Sequence, residues 1–245
     1  MDATLTVLLY STMAAVAAAL GVIPAAWRRG AVVPLAWIGW SNALASGLML
    51  GVAYSLMVTG LDRGALWGGI GAALGIAFVH LTHAATGTAD MDLNRLDETS
   101  PSYGYQVILV NTFHAAHEGI AIGVGMAVSL PFGILMALAL AVHNIPEAAI
   151  QTSIVTKRGA RLRDAAALAV VTNVNQVLLA VVSFSVLAAA PGMLPWALGF
   201  AVGALIYLVM FELLPESYRE AGHTSIALVT IVAMGIVVLL TGGPP

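Results

Sequence analysis

Long runs of apolar residues occupy most of this sequence, and its few charged residues fall mainly in the short segments between those runs. Hydrophobic residues make up 60% of the chain and charged residues only 9%, whereas soluble domains carry roughly a quarter charged residues. A helix that crosses a bilayer needs about 20 mostly apolar residues and pairs all its backbone groups internally. The pattern therefore predicts an all-α polytopic membrane protein.

We predict eight transmembrane helices that form a single domain over residues 1–245. Their approximate bounds are 4–27, 33–59, 65–86, 104–128, 130–156, 163–189, 193–215 and 223–242. A polar, acidic connection over residues 87–103 lies between the third and fourth helices. The chain has no cysteine, so neither a disulfide nor a thiolate metal ligand is available.

The placement of lysine and arginine predicts how the helices are oriented. With eight helices, four basic connections share one side of the membrane, and only Arg63 falls on the other side. The shared side carries Arg28, Arg29, Arg95, Lys157, Arg158, Arg161, Arg163 and Arg219. Because basic residues concentrate in cytoplasmic loops, we expect both termini outside a plasma membrane, such as a bacterial inner membrane. No basic patch indicates nucleic acid; membrane lipid is the expected partner, and a homodimer is left open.

Two His-x-x-x-Glu pairs lie inside apolar runs, His114 with Glu118 and His143 with Glu147. Positions i and i+4 share one helix face, so both side chains of a pair point the same way. Ionisable residues inside a membrane helix are energetically costly and indicate function. Imidazole with carboxylate suits Zn²⁺, Fe²⁺, Mn²⁺ or Cd²⁺, whereas Ca²⁺ and Mg²⁺ prefer oxygen ligands alone. We therefore predict one intramembrane metal site built from these four residues.

Other ionisable residues lie near this predicted site. His117 follows His114 by three residues, so it lies on a neighbouring helix face. Three roles are open for it: a fifth metal ligand, a partner of a ligand, or a packing residue. Four more residues lie towards the predicted cytoplasmic ends of the third and seventh helices: His80, His83, Glu212 and Glu216. We interpret these four either as a metal-release site or as interfacial residues that meet water.

At these residues the chain resembles the ZIP family of divalent metal transporters. The fifth helix, His143-Asn144-Ile145-Pro146-Glu147-Ala148, is similar to the family's His-Asn/Asp-x-Pro-Glu-Gly. The fourth helix, His114-Ala115-Ala116-His117-Glu118-Gly119, resembles the family's His-Asn/Ser-x-x-Glu/Asp-Gly. Ala45-Ser46-Gly47-Leu48-Met49-Leu50 and the stretch from Gly203 to Glu216 extend the resemblance over the chain.

The resemblance implies eight helices in a three-two-three arrangement with inverted repeats, and metal uptake towards the cytoplasm by alternating access. It implies that His114, Glu118, His143 and Glu147 match the first position of a binuclear centre, beside Met49. The second position departs from the family pattern, because Asn144 and Gln176 stand where the family has acidic residues and Ala115 stands where it has Asn or Ser. We therefore expect a single metal site, with Asn144 and Gln176 near it.

Two other functions are compatible with the same residues. One is a metal-binding membrane sensor or store that does not transport, which the altered second position keeps open. The other is a membrane zinc hydrolase, in which Glu118 or Glu147 would act as a general base on metal-bound water. The chain has no His-Glu-x-x-His motif, since Gly119, Ile120 and Ala121 follow His117 and Glu118. We therefore expect a transporter rather than an enzyme.

Overall fold

The structure is a computed structural model, which describes residues 2–27, 34–88 and 100–242. Within these ranges it contains helices and turns but no strand. The α-helices are α1 (Ala3–Ala17), α2 (Ile23–Trp27), α3 (Leu35–Thr86), α4 (Pro101–Val128), α5 (Leu130–Lys157), α6 (Leu162–Thr172), α7 (Val174–Ala189), α8 (Leu194–Leu208), α9 (Leu214–Glu220) and α10 (His223–Leu240). Arg28, Arg29, Arg95 and most of the predicted 87–103 connection lie outside the described residues.

In the described ranges, seven helices are long and apolar enough to cross a membrane, so the eight predicted spans are matched approximately. The second of the seven, α3, has 52 residues, which is more than twice the length that one crossing needs. Its backbone leaves the helical region only at Gly64, with φ 144° and ψ 84°. Such a positive φ is accessible to glycine alone at little cost, so Gly64 is where the chain turns.

The contacts of α3 show that its two halves run antiparallel. Gly60 and Gly68, on either side of Gly64, both contact the beginning of α8, at Leu198 and Pro195 respectively. The far ends of the two halves both reach the residues that follow α8. The helix α3 is therefore a hairpin of two spans that turns at Gly64 without an intervening loop.

The spans form two bundles. The first bundle contains α1, α2 and α4–α7, and the second contains α3 and α8–α10. Glycines allow close contact inside each bundle, for example Gly119 of α4 against the backbone of Gln176, and Gly71 of α3 against Trp196. Large apolar side chains such as Leu228, Ile231 and Leu239 on α10 are exposed, as expected for a surface that faces lipid.

Serine caps orient the two helices that carry the predicted ligands. Ser100 accepts a hydrogen bond from the backbone N–H of Tyr103 at the start of α4, and Ser129 accepts one from Phe132 at the start of α5. Since only Ser129 separates α4 from α5, these helices form a tight antiparallel pair. Their facing surfaces come close where Gly133 packs on Met126, so the two His-x-x-x-Glu pairs lie across one interface.

Candidate metal centre

A group of three side chains lies between α4 and α5, and we call it the central group: the buried Glu118 and His143 and the partly buried Glu147. His143 Nε2 lies 2.8 Å from Glu118 Oε1 and 3.7 Å from Glu147 Oε2. One nitrogen or oxygen atom from each residue falls within 4.8 Å of the others. Zn²⁺ binds nitrogen and oxygen ligands at about 2.0–2.2 Å, so atoms at this spacing can share one ion.

His114, the fourth predicted ligand, lies beside the central group and makes contacts on both edges of its ring. Its Nδ1 lies 3.3 Å from Glu147 Oε1, whereas its Nε2 lies 3.2 Å from Glu212 Oε2 on the other side. The side chain is buried, so neither contact is with bulk water. His114 therefore connects the central group to a carboxylate of the second bundle.

A second group of candidate ligands forms around that carboxylate: His83, His114 and Glu212. His83 Nε2 lies 3.6 Å from Glu212 Oε2. Glu212 occupies a π-helical turn, Val209–Leu213, between α8 and α9. Pro215 follows this turn and has no N–H, so it cannot donate a backbone hydrogen bond that would continue the turn. Such π-turns often place functional side chains.

Two amide side chains complete the surroundings of Glu118. Gln176 Nε2 donates a hydrogen bond of 2.8 Å to Glu118 Oε2, and Gln176 Oε1 accepts one of 3.0 Å from Asn144 Nδ2. Asn144 Nδ2 also lies 2.9 Å from the carbonyl oxygen of Ala14 on α1, to which it donates. The Oε2 side of Glu118 is thus occupied by the neutral Gln176 amide, which Asn144 holds in turn, rather than by a further acid.

The remaining predicted residues lie apart from the two groups. Met49 is fully buried in the main apolar core. Both ring nitrogens of His117 lack a hydrogen-bond partner among the described residues, and its ring meets the ring of Phe78 edge-on. His80 is exposed, with its Nδ1 2.9 Å from Tyr207 Oη. Glu216 is buried and accepts a hydrogen bond from Asn42.

Sequence reasoning grouped His80, His83, Glu212 and Glu216, but only His83 and Glu212 of these four enter the second group. His114, which was assigned to the first predicted site, shares it. The hydroxyl of Thr88, which lies 3.0 Å from His83 Nδ1, was not anticipated. The sequence feature that could have indicated this contact is Gly87, directly after the last residue of α3. A glycine there ends the helix and turns the chain back towards His83.

Comparison with known families now bears on these residues. The family model described as ZIP Zinc transporter matches residues 79–241, a segment that contains both groups of candidate ligands. The chain belongs to the ZIP family. As a ZIP chain it is a multi-pass membrane protein, and the resemblance predicted from the His143–Ala148 motif is confirmed.

Three curated relatives are similar to this ZIP chain. A protein of Arabidopsis thaliana whose name describes it provisionally as a zinc transporter is 32% identical over 229 residues, covering 91% of this chain and 36% of the relative. Zinc transporter GufA of Myxococcus xanthus is 35% identical over 113 residues, covering 46% of this chain and 44% of the relative. Zinc transporter ZIP13 of Pongo abelii is 27% identical over 147 residues, covering 58% of this chain and 44% of the relative.

The matched regions cover between 36% and 44% of the length of these relatives. The family description and all three names concern transport. Family membership therefore agrees with the prediction that this ZIP chain is not an enzyme, and it gives no support to the hydrolase alternative.

Proposed function

We propose that this ZIP chain transports divalent transition-metal ions towards the cytoplasm by alternating access, with Zn²⁺ as the main substrate and Fe²⁺, Mn²⁺ and Cd²⁺ as further candidates. The names of the three relatives support zinc as the substrate. The observation that carries the proposal is the position of His114. Its ring contacts Glu147 on one edge and Glu212 on the other, so it joins two groups of metal ligands.

The central group, together with His114, is the proposed binding site. Glu118 and Glu147 supply two negative charges, which offset those of one divalent cation, and His143 and His114 supply neutral nitrogen ligands. Unpaired carboxylates are strongly disfavoured in such a buried place, so an ion that neutralises them gains affinity from the burial. The ligand set suits Zn²⁺ and the other transition metals named above.

Release would proceed through the second group. An ion that leaves Glu147 and His114 Nδ1 would next meet Glu212 and His114 Nε2, because the two carboxylates flank opposite edges of the same imidazole ring. His83 then offers the next nitrogen beyond Glu212. In this proposal His83 and Glu212 are exit ligands near the cytoplasmic end of α3, whereas His80 and Glu216 are not ligands.

Alternating access requires that the site open to one side of the membrane at a time. The central group is carried entirely by α4 and α5 of the first bundle, whereas His83 and Glu212 belong to the second bundle. Sliding of the first bundle against the second would therefore change which ligands His114 meets. Both termini lie outside in this proposal, as the positions of the basic residues predict.

The amide pair supports a single ion at the central group. A second divalent cation on the far side of Glu118 would need anionic ligands, but the neutral amide of Gln176 lies there and already donates to Glu118 Oε2, and the neutral amide of Asn144 lies behind it and donates to Gln176. Neutral amide donors also repel a cation at short range. We therefore propose a stoichiometry of one ion per chain at the central group.

Ion entry into liposomes tests this function. Purified protein is reconstituted, and the uptake of Zn²⁺, Fe²⁺, Mn²⁺ and Cd²⁺ is followed for the unchanged chain and for a His143→Ala, Glu147→Ala double variant. The matched control is His223→Ala with Asp62→Ala, which also removes one histidine and one acid, but from exposed positions. Uptake that is lost in the first variant and kept in the control supports the proposal.

Two other results would contradict it. Metal binding to the central group without uptake would replace transport by the sensor or store function. Equal uptake by all three proteins would remove the central group from the transport path. Measuring equilibrium binding on the same preparations separates these two results.

A further inference from the structure

A turn at the end of α3 brings Thr88 against the ring of His83. Gly87 adopts a left-handed conformation (φ 66°), and the backbone N–H of Thr88 donates to the carbonyl of His83 at 3.0 Å. Thr88 is buried, and its Oγ1 lies 3.0 Å from His83 Nδ1. The turn is held from α4, since Gln106 Nε2 donates to the carbonyl of Gly87 at 3.1 Å.

Two further contacts determine the direction of the hydrogen bonds around Thr88. Thr86 Oγ1 lies 2.8 Å from the carbonyl oxygen of Thr82 and 2.8 Å from Thr88 Oγ1. A carbonyl oxygen only accepts, so the single hydroxyl proton of Thr86 is donated to Thr82. Thr88 must then donate its own proton to Thr86, which leaves Thr88 Oγ1 as an acceptor towards His83. The proton between them therefore belongs to His83 Nδ1.

The opposite direction of the hydrogen bonds among Thr86, Thr88 and His83 is less favourable. If Thr88 donated to His83 Nδ1, Thr86 would have to donate to Thr88, and no proton would remain between Thr86 Oγ1 and the carbonyl of Thr82. Two acceptor oxygens would then face each other at 2.8 Å. On the other edge of the ring, the 3.6 Å between His83 Nε2 and Glu212 Oε2 is too long for a hydrogen bond.

We propose that Thr88 is a positioning residue which, through Thr86, holds His83 in the tautomer that is protonated on Nδ1. In this tautomer the lone pair of Nε2 faces the second group, which His83 forms with Glu212 and His114. A neutral histidine binds a metal ion through such an unprotonated nitrogen. The inference rests on the proposed function in one respect only, namely that His83 is an exit ligand. Partners that fix a metal-binding histidine in this way change metal affinity by about 10- to 100-fold.

The tautomer can be observed without metal. The protein is labelled with ¹⁵N-histidine in lipid nanodiscs, and the His83 signals are assigned by their loss in His83→Asn. We expect a protonated Nδ1 and an unprotonated Nε2 in the unchanged chain. Thr88→Val should mix the tautomers, and Thr88→Ser, which restores the hydroxyl, should restore the pattern. Thr86→Val should have the same effect as Thr88→Val.

Thr82→Val is the matched control. The chain of hydrogen bonds from His83 through Thr88 and Thr86, which we call the relay, ends at the backbone carbonyl of Thr82, whereas the hydroxyl of Thr82 donates to the carbonyl of Phe78. A proton on Nε2 in the unchanged chain, or an unchanged pattern in Thr88→Val, would overturn the proposal.

Cd²⁺ titration of the same proteins separates the relay from the transport function. Thr88→Val should weaken binding at His83 about 10- to 100-fold, with Thr88→Ser close to the unchanged chain. If the unchanged chain transports metal and Thr88→Val binds Cd²⁺ at His83 equally well, the positioning role is refuted while the transport proposal stands. If the tautomer responds as expected but neither group binds metal, the transport proposal fails instead.

Discussion

Glu212 Oε2 lies 3.2 Å from His114 Nε2, although the two residues belong to different bundles. Both side chains are carried by membrane-spanning segments, where ionisable groups are costly unless they are paired or functional. Another contact between the bundles is the edge-on approach of the Phe78 and His117 rings. In the proposed function, the His114–Glu212 contact is the place where an ion passes from one bundle to the other.

Replacing Glu212 by Gln should separate binding from transport. The variant keeps the central group but removes the carboxylate that receives the ion, so we expect Zn²⁺ uptake to fall at least tenfold while the central group still binds one ion. Uptake is measured in liposomes and binding by equilibrium dialysis. Asp62→Asn, which alters an exposed acid, serves as the control and should leave both unchanged. Unaltered uptake by Glu212→Gln would contradict the exit path.

Changing Gln176 should affect how many ions bind. Gln176→Glu adds a third carboxylate beside Glu118, so we expect the number of Zn²⁺ or Cd²⁺ ions bound at the central group to rise from one to two. Gln176→Leu instead leaves Glu118 Oε2 and Asn144 without this partner, and we expect a loss of about 10- to 100-fold in affinity at one ion per chain. Two ions bound at the central group of the unchanged chain would disprove the single-site proposal.

A methyl group at Gly71 should destabilise the second bundle. The new Cβ would fall on the carbonyl oxygen of Trp196, closer than two atoms can approach, so α3 and α8 would have to separate. We expect Gly71→Ala to lower stability by about 1–3 kcal/mol, measured as thermal unfolding in detergent. Gly69→Ala is the matched control on the same helix, because a Cβ there meets nothing within 4 Å. Equal melting of the two variants would contradict the described packing.

Gly64→Ala should strain the reversal within α3. At φ 144° an alanine is forced into a conformation that only glycine adopts readily, at a cost of about 1–3 kcal/mol. Neighbouring atoms are not the cause, since the nearest contacts of a Cβ there are ordinary ones at 3.7–3.8 Å. We expect a lower thermal midpoint for Gly64→Ala than for Gly192→Ala, whose added methyl group meets nothing within 4 Å.

The sequence predicted the parts of the fold that depend on local pattern. Long apolar runs predicted the membrane helices, and the two i, i+4 pairs predicted one site of His114, Glu118, His143 and Glu147. Since one residue joins α4 to α5, Glu118, His143 and Glu147 do lie together, whereas His114 lies beside them and is shared with the second group. The hairpin within α3 was harder to predict. The expected bounds left residues 60–64 between two helices, whereas the backbone stays helical there except at Gly64.

The second group depended on tertiary contacts that no local pattern encodes. Glu212 and Glu216 are four residues apart, which predicts one shared helix face, but the π-helical turn at Val209–Leu213 changes that relation. Glu212 consequently meets His114 and His83, whereas Glu216 meets Asn42. Which edge of the His114 ring faces which bundle follows only from the packing of α4 against α8.

The turn at Gly64 also has a consequence for how the chain enters the membrane during synthesis. Because no loop separates the two halves of α3, neither half can reach its final depth in the membrane while the other remains in water. Asp62 and Arg63 lie directly before the turn. With both termini outside, as proposed, these two charged residues are carried across the bilayer at the tip of the hairpin. Residues 35–86 are therefore expected to insert as one hairpin, in a single step.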